Sequence, residues 1–248
     1  MAVRNNILVT HTPTVVDAET STTAILLMLA CYRNLLSCER HARSGAWQHG
    51  PHPLTRSADH RKVGLLGMGR IGLAIATKLV AFDCDVVYHT RTKKDQVVYP
   101  HYESLVAMAH DVDCLICIVP GGADTKHMVN EQVMNALGPE GTLINVARGS
   151  VVDERAMIKA LQEGRLGWAG LDVFEHEPSI PTELCAMDNV VLLPHVGTHT
   201  VETRAAMGAL TVDNILQHMK DGRVLTAVPE CHHLLQNAKS SRLASPTS

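Results

Sequence analysis

The chain has 248 residues and a formal net charge of −3 with histidine neutral, which gives no reason to expect a nucleic acid or an anionic membrane surface as partner. Hydrophobic residues make up 46% of the sequence, and this is enough for a packed core, so a chain disordered throughout is excluded. No apolar run is long enough to cross a bilayer, and the odd number of cysteines, seven, favours a reduced, cytoplasmic protein.

The predicted elements alternate between helix and strand along the chain. Residues 17–36 are predicted to form one long helix, and other helices are expected from Arg70 to about Val80, from Asp153 to just before Gly164, and over 200–220. Six apolar segments with little polar alternation are predicted as strands: 62–67, 85–90, 114–119, 142–147, 168–173 and 189–194. This alternation predicts an α/β fold with a doubly wound parallel sheet. The tail from residue 238 is expected to be disordered.

Cys114 and Cys117 form a C-x-x-C motif within the apolar segment DCLICIVP. On a strand this spacing places the two side chains on opposite faces. A thioredoxin-type redox motif needs the pair at the start of a helix, so we interpret both as small core residues.

A glycine motif follows the first predicted strand. The segment GLLGMGRIG contains Gly67-x-Gly69-x-x-Gly72 and leads into a predicted helix. In that context the first glycine permits a tight turn, the second lets the backbone approach a pyrophosphate, and the third lets the helix pack close to the sheet. The helix N-terminus adds free N–H groups and the positive end of a dipole. The alternative is a glycine turn that binds nothing, but the flanking elements favour a dinucleotide site.

The end of the second predicted strand indicates which dinucleotide is bound. An NAD site usually carries an acid there for the ribose 2′-hydroxyl, but the sequence at this place is VVYHTRTKK. A carboxylate would repel a 2′-phosphate, whereas the guanidinium of Arg91 can hold one through paired, charge-assisted hydrogen bonds. The alternative is a solvated basic loop. Because the acid is absent, the sequence predicts NADP(H) as the preferred cofactor, with NAD(H) as the second choice.

Three polar residues follow predicted strands, at the edge of the sheet where ligands bind in such folds. Arg148 lies in INVARGSVVDE, Glu177 in DVFEHEP and His195 in LLPHVG. An arginine fork suits a carboxylate, and a histidine paired with a carboxylate suits a general acid near neutral pH. Singly, each has an ordinary alternative, namely a surface ion pair, a solvated loop acid and a loop histidine. Together, after a glycine loop, they favour a hydride-transfer site.

The segments VGLLGMGRIG, INVARGSVVDE, AGLDVFEHEP and LLPHVGTHT resemble the D-isomer-specific 2-hydroxyacid dehydrogenases in order and spacing, over about residues 7–229. The resemblance implies that Arg148 binds the carboxylate of a 2-oxo acid and polarises its carbonyl. It implies that Glu177 pairs with His195, and that His195 gives the proton as hydride arrives from the nicotinamide. No metal site is predicted. The further cofactor contacts that the resemblance implies are Arg70 and Ile71 at the pyrophosphate, Val119 and Pro120 on the adenosine side, and Ala147, Asp172 and Gly197 near the nicotinamide.

Two segments refine this resemblance. YHTRTKK and PHVGTHTVETRAAM look most like the NADPH-dependent glyoxylate and hydroxypyruvate reductases of the family. The implied reaction is hydride transfer from NADPH to a small 2-oxo acid, glyoxylate or hydroxypyruvate, which gives the 2-hydroxy acid. Formate dehydrogenases of the superfamily carry glutamine where Glu177 stands, which argues against that reaction.

The resemblance also predicts the domain organisation. Residues 1–58 are expected to hold the end of a substrate domain with the interdomain helix and loop, residues 59–204 a Rossmann domain, and residues 205–248 a returning helix and the tail. In family members the first part of the substrate domain precedes ILVTHTP, which here occupies residues 7–13. The chain is therefore predicted to be truncated at its N-terminus relative to the family. Its predicted helix 17–36 is expected to have uncovered apolar surface, and its catalysis in isolation is in question.

Two other functions stay open on the sequence. One is a cofactor-binding chain with weak catalysis or none. The other is a dinucleotide-dependent binding protein similar to the C-terminal binding protein corepressors, which share the Arg, Glu and His pattern but generally keep the acidic strand end. The expected partners are a small 2-oxo or 2-hydroxy acid and, by resemblance, a second copy in a homodimer formed through the long helix and the loop around RSGAW.

Overall fold

The computed structural model describes residues 2–235, so the predicted disordered tail lies outside the described residues. The described chain forms two compact units. One unit is Ala18–Gly197, and the other is made of the residues before and after that range.

The unit Ala18–Gly197 is built on a parallel sheet of seven strands, which confirms the predicted α/β, doubly wound fold. The strands are β1 (Lys62–Leu66), β2 (Asp85–His89), β3 (His101–Tyr102), β4 (Cys114–Cys117), β5 (Thr142–Asn145), β6 (Trp168–Leu171) and β7 (Val190–Leu192). Their order across the sheet is β3-β2-β1-β4-β5-β6-β7, and every neighbouring pair is parallel. Six of the seven were predicted. The two-residue strand β3 was not, because it is too short to show a periodic pattern.

The described chain contains eight α-helices, of which α8 belongs to the second unit. They are α1 (Asp17–Tyr32), α2 (Leu35–Arg43), α3 (Arg70–Val80), α4 (Leu105–Asp111), α5 (Glu131–Leu137), α6 (Glu154–Gln162), α7 (Thr182–Cys185) and α8 (Val201–Asp221). The predictions for α3, α6 and α8 are confirmed. The short helices α4 and α5 were missed, although Ser104 and Asn130 cap them by accepting a backbone N–H each, from Ala107 and Val133.

The prediction of one long helix over 17–36 is wrong. Helix α1 ends at Tyr32, Asn34 takes a left-handed conformation with φ 44°, and α2 then begins at Leu35. Left-handed backbone cannot continue a right-handed helix, and asparagine is among the residues that adopt it most readily. Among residues 2–235 no single helix is long and apolar enough to cross a bilayer, and α1 and α2 meet that requirement only when taken together across a bend of 62°.

The expectation that this helical segment leaves apolar surface uncovered holds only for part of it, because Leu26, Leu35 and Leu36 are exposed whereas most apolar residues of α1 are buried. Residues of α1 such as Ala24, Leu27 and Met28 are completely buried and belong to the same core cluster as Val63 and Leu65 of β1. Helix α1 is therefore a core helix on one face of the sheet. Its mostly apolar sequence is explained by this burial.

The two faces of the sheet carry separate core clusters, and the C-x-x-C motif contributes one cysteine to each. Cys114 packs in the cluster that contains α1, whereas Cys117 packs in the cluster on the other face, as predicted. Burial raises the pKa of the Cys117 thiol to about 12 and that of Cys114 well above its ordinary value. Thiols held neutral in this way are poor nucleophiles, so the motif is structural.

The second unit is organised around Asn214 on α8. Its side-chain oxygen accepts the backbone N–H groups of Leu225 and Thr226, at 2.9 and 3.0 Å. Thr226 in turn donates its hydroxyl to the carbonyl of His11, and Thr10 forms an isolated antiparallel bridge with Ala227. The N-terminal segment and the chain after α8 are therefore tied to each other.

Candidate functional site

Every residue predicted for the site lies at or after the carboxyl end of a strand. The order in which strands are added to the sheet reverses between β1 and β4. These two strands are neighbours in the sheet, although β2 and β3 separate them in the chain. In open α/β sheets this switch point opens a crevice for ligands. Gly67 follows β1 and Val119 follows β4, and a Cβ built on Gly67 would lie 3.1 Å from a methyl carbon of Val119. The residues predicted to contact the pyrophosphate and the adenosine side of the cofactor therefore lie next to each other at this point.

The glycine loop has a shape that fits a dinucleotide. Gly67 has φ +109°, and a Cβ there would lie 2.9 Å from the carbonyl oxygen of Ile118. At Gly72 a Cβ would lie 2.6 Å from the carbonyl oxygen of Gly67, so the helix start packs directly on the turn. At Gly69, in contrast, an added Cβ would meet no atom within 4 Å apart from its chain neighbours, and no side chain caps α3 there. This open space at the start of α3 suits a phosphate-bearing cofactor.

The end of β2 is joined to this loop, because the backbone N–H of Gly67 donates to the carbonyl of His89 at 3.0 Å. Arg91 lies two residues further on and is largely exposed. One of its guanidinium nitrogens is 3.4 Å from a carboxylate oxygen of Asp124, with both side chains at least 80% exposed. Such an exposed pair contributes little stability, so the guanidinium can exchange Asp124 for another anion.

The turn that carries Arg148 is held by the buried side chain of Asn145. The Asn145 oxygen accepts the N–H of Ala147, and its amide donates to the carbonyl of Arg148, both at 3.0 Å. Ala147 is buried, whereas Arg148 is exposed and extends over Gly121, where a Cβ would lie 2.8 Å from its Cγ. The turn thus fixes the backbone while it leaves the guanidinium accessible.

Glu177 and His195 form the central pair of the site. The Nδ1 atom of His195 lies 2.7 Å from Oε2 of Glu177, and the other carboxylate oxygen accepts the N–H of Phe174 at 3.0 Å. Partial burial alone would raise the pKa of Glu177. The hydrogen bonds from His195 and Phe174 and the charge of Arg148 outweigh it, so this pKa lies below its ordinary value.

Asp172 anchors the segment that carries His195. Its two carboxylate oxygens accept the backbone N–H groups of Val196, at 2.7 Å, and of Gly197, at 2.9 Å. Asp172 is 2% exposed, and this burial raises its pKa against the opposing effect of the two backbone hydrogen bonds. A Cβ on Gly197 would lie 2.9 Å from the same carboxylate, so glycine permits this close approach. His195 itself takes φ +54°, which this anchoring helps to hold.

Several residues that shape the site were missed on the sequence. A Cβ on Gly149 would lie 1.9 Å from the carbonyl carbon of Phe174, so the arginine turn and the glutamate loop are in backbone contact. Asn145 interrupts the apolar segment TLINVA, and this polar break was a usable signal. His127 and Glu175 form an ion pair beside this contact, and no local sequence pattern indicated a role for either residue.

The lowered pKa of Glu177 predicts how Glu177→Gln changes stability with pH. A carboxyl group whose pKa is lowered by folding contributes stability above its ordinary pKa of 4.5, and this is lost as pH falls through the folded-state value. We expect the wild type to exceed Glu177→Gln in free energy of unfolding at pH 5.5, and the difference to shrink by pH 3.5. Urea unfolding at both pH values measures it, with the exposed Glu183→Gln as control. A difference that grows on acidification would contradict the lowered pKa.

The geometry agrees with the comparison with protein families. The family model described as D-isomer specific 2-hydroxyacid dehydrogenase, NAD binding domain, matches residues 25–197. The chain belongs to this family. Its members are dehydrogenases that use NAD(P), so the predicted family and enzyme class are confirmed.

Individual members of this dehydrogenase family are similar over most of the chain. Glyoxylate/hydroxypyruvate reductase A of Arabidopsis thaliana is 49% identical over 220 residues, which cover 89% of this chain and 70% of that protein. A hydroxyphenylpyruvate reductase of Plectranthus scutellarioides is 46% identical, with the same coverage of 89% and 70%. A solved NADPH-dependent glyoxylate/hydroxypyruvate reductase of Sinorhizobium meliloti, in complex with NADP and malonate, matches with a TM-score of 0.90 at 49% identity. That match covers 93% of this chain and 73% of the solved one.

Proposed function

We propose that the chain reduces a small 2-oxo acid, glyoxylate or hydroxypyruvate, to the 2-hydroxy acid with NADPH. The observation that carries the proposal is the Glu177–His195 pair, joined at 2.7 Å, with the turn that carries Arg148 in backbone contact with the loop before Glu177 at Gly149 and Phe174. An acid, its orienting carboxylate and an anion-binding guanidinium are the groups that such a reduction needs. The names of the Arabidopsis and Sinorhizobium relatives support the choice of substrate and cofactor.

Each residue of the site has a part in this reaction. The reduced nicotinamide supplies hydride when it is bound. Arg148 binds the substrate carboxylate through its planar fork and polarises the neighbouring carbonyl. His195 donates Nδ1–H to Glu177, which leaves Nε2 to carry the proton that passes to the carbonyl oxygen. Glu177 fixes the orientation of the ring through this hydrogen bond.

The cofactor is held by the other predicted residues. Gly67, Gly69 and Gly72 shape the pyrophosphate turn, with Arg70 and Ile71 at the start of α3. The further contacts in the proposal are Arg91 with the 2′-phosphate, Val119 and Pro120 with the adenosine side, and Ala147, Asp172 and Gly197 with the nicotinamide side.

Arg91→Ala tests the preference for NADPH. Without the guanidinium the 2′-phosphate loses charge-assisted hydrogen bonds, so we expect the Kd for NADPH to rise about tenfold or more. The Kd for NADH should change less than about twofold, since NADH has no 2′-phosphate. Fluorescence titration with both cofactors measures the effect. The matched control is Arg165→Ala, because Arg165 forms ion pairs with Glu131 and Glu163 and is not among the residues proposed for the site. Equal weakening of both cofactors would contradict the proposed contact.

The function itself is tested by NADPH fluorescence with the 248-residue chain, followed by glyoxylate in the same cuvette. A rise on mixing and a decay with glyoxylate support the reductase. A rise that persists with glyoxylate and with hydroxypyruvate indicates a cofactor-binding chain without turnover, which is the second function left open by the sequence. No rise at all would overturn the cofactor site as well.

We further propose that the chain forms a homodimer in the cytoplasm. Large apolar side chains remain exposed on α2 and in the loop after it, with Leu35 at 49%, Leu36 at 43%, Trp47 at 71% and Leu54 at 102% of full exposure. A second copy would cover them. Sedimentation should give a dimer that Trp47→Asp dissociates, while Val98→Asp, at a side chain that is 90% exposed and outside this group, does not. A monomeric wild type would refute the dimer. All seven cysteines are free, which suits a reducing compartment.

A further inference from the structure

A second cluster of ionisable side chains lies beside the proposed site. His127 follows the loop after β4, and its Nε2 is hydrogen-bonded to a carboxylate oxygen of Glu175. Its Nδ1 lies 3.9 Å from a carboxylate oxygen of Asp153. The buried carboxylate of Glu154 accepts the backbone N–H of Glu175 at 3.1 Å. Glu175 is 19% exposed, so this cluster is more shielded from water than the Glu177–His195 pair.

The cluster joins three chain segments that each carry a proposed site residue. His127 belongs to the segment after Val119 and Pro120, and its N–H donates to the carbonyl of Ser150 at 2.8 Å. Val129 and Val152 continue this contact as an isolated parallel bridge. The 150–154 segment follows Arg148 directly, and Glu175 is two residues before Glu177. One hydrogen-bonded group therefore links the cofactor side, the arginine turn and the glutamate loop.

The backbone of His127 indicates that its position is specifically maintained. It has φ +51°, a conformation that most residues other than glycine adopt only at a cost in free energy. The hydrogen bonds of His127 to Glu175 and to the carbonyl of Ser150 help to hold this conformation.

We infer that His127 and Glu175 are positioning residues that hold the loop bearing Glu177 in register with Arg148 and His195. The inference rests on the proposed function. Glu175 is held at its side chain by His127 and at its backbone by Glu154, so the residues just before Glu177 have little freedom. When the pair is broken, the loop shifts and Glu177 orients His195 less well. Small displacements of this kind lower catalytic rates markedly.

The test compares Glu175→Ala with Glu175→Gln, which keeps an acceptor for His127. We expect Glu175→Ala to lower kcat with glyoxylate about tenfold. The KM for glyoxylate should change less than about twofold, because the side chain of Arg148 is untouched and the loss lies in the orientation of His195. Glu175→Gln should keep most of the wild-type kcat. The Kd for NADPH should stay within about twofold, and Glu163→Ala, which removes an exposed ion pair with Arg165, should leave kcat unchanged.

A double variant shows whether Glu175 acts through Glu177. If it does, Glu175→Ala together with Glu177→Gln loses no more activity than Glu177→Gln alone. Independent losses that multiply, an unchanged kcat in Glu175→Ala, or an equal loss of kcat in Glu175→Gln would each overturn the inference, the last because it would show a direct charge effect. If Glu175→Ala does not fold, His127→Asn replaces it, since asparagine tolerates the left-handed backbone and is too short to reach Glu175.

A spectroscopic readout separates this inference from the proposed reaction. The Nδ1 proton of His195, hydrogen-bonded to Glu177, should give a downfield proton resonance that Glu177→Gln removes. Glu175→Ala should broaden or shift that resonance whether or not the chain turns over substrate. A wild type with the resonance and no turnover would refute the reductase only. An unchanged resonance in Glu175→Ala and His127→Asn would refute the positioning role only.

Discussion

Replacing His195 by alanine is expected to lower kcat for glyoxylate by about 10²- to 10⁴-fold, because general acid catalysis contributes that much in enzymes. The imidazole is the proposed proton donor, and Glu177 already holds its Nδ1 at 2.7 Å. The Kd for NADPH should change less than about twofold, since the glycine loop and Arg91 are untouched. If the His195→Ala protein still enhances NADPH fluorescence but no longer turns over glyoxylate, the variant has lost the chemical step and kept cofactor binding.

The control for this variant is His110→Ala. His110 is an exposed histidine in the last turn of α4, outside the proposed site, so its loss should leave kcat within about twofold. Full activity in His195→Ala would remove His195 from the mechanism. Equal losses of NADPH binding and of turnover would instead indicate that the variant disturbs the fold of the cofactor site.

Gly149→Ala is expected to destabilise the protein by about 3 kcal/mol or more and to lower kcat/KM strongly. The added Cβ would lie 1.9 Å from the carbonyl carbon of Phe174 and 2.4 Å from the backbone nitrogen of Glu175. These are backbone atoms, so no side chain can rotate away to relieve the overlap. Either the arginine turn or the loop before Glu177 must move, and the distance between Arg148 and the Glu177–His195 pair changes with it.

The measurement is urea unfolding with and without NADPH, together with kcat/KM for glyoxylate. Gly208→Ala is the control, because a Cβ at Gly208 within α8 meets no atom within 4 Å. Alanine is the better helix former, so that variant should gain about 0.5–1 kcal/mol. A Gly149→Ala protein as stable and active as the wild type would show that the two loops do not need their close contact.

The sequence alone predicted most of the sheet and the residues proposed for the site. Six strands were recognised because buried parallel strands are nearly continuous apolar runs, such as CLICIV and NVVLLP. The glycine motif was informative because a strand precedes it and a helix follows. Arg148, Glu177 and His195 could be picked out because each follows a predicted strand, and chain order then assigns all three to one edge of the sheet.

Sequence reasoning failed where a single backbone angle or a distant contact decides the structure. The break between α1 and α2 depends on the left-handed conformation of Asn34, in a segment whose apolar sequence suggests continuous helix. His127 and Glu175 are 48 residues apart, and nothing in either neighbourhood indicates the other. The same holds for Asp172, whose carboxylate holds the backbone 24 and 25 residues later.

The sequence by itself therefore determined the order of strands and helices, the glycine turn and the choice of proposed catalytic residues, because local propensity and short motifs fix these. The tertiary structure decided which strands meet at the switch point, that Gly149 brings the arginine turn against the loop of Glu177, and that Asp172 anchors the segment of His195. These features depend on packing between segments that are distant in the chain, and such packing has no local signature in the order of residues.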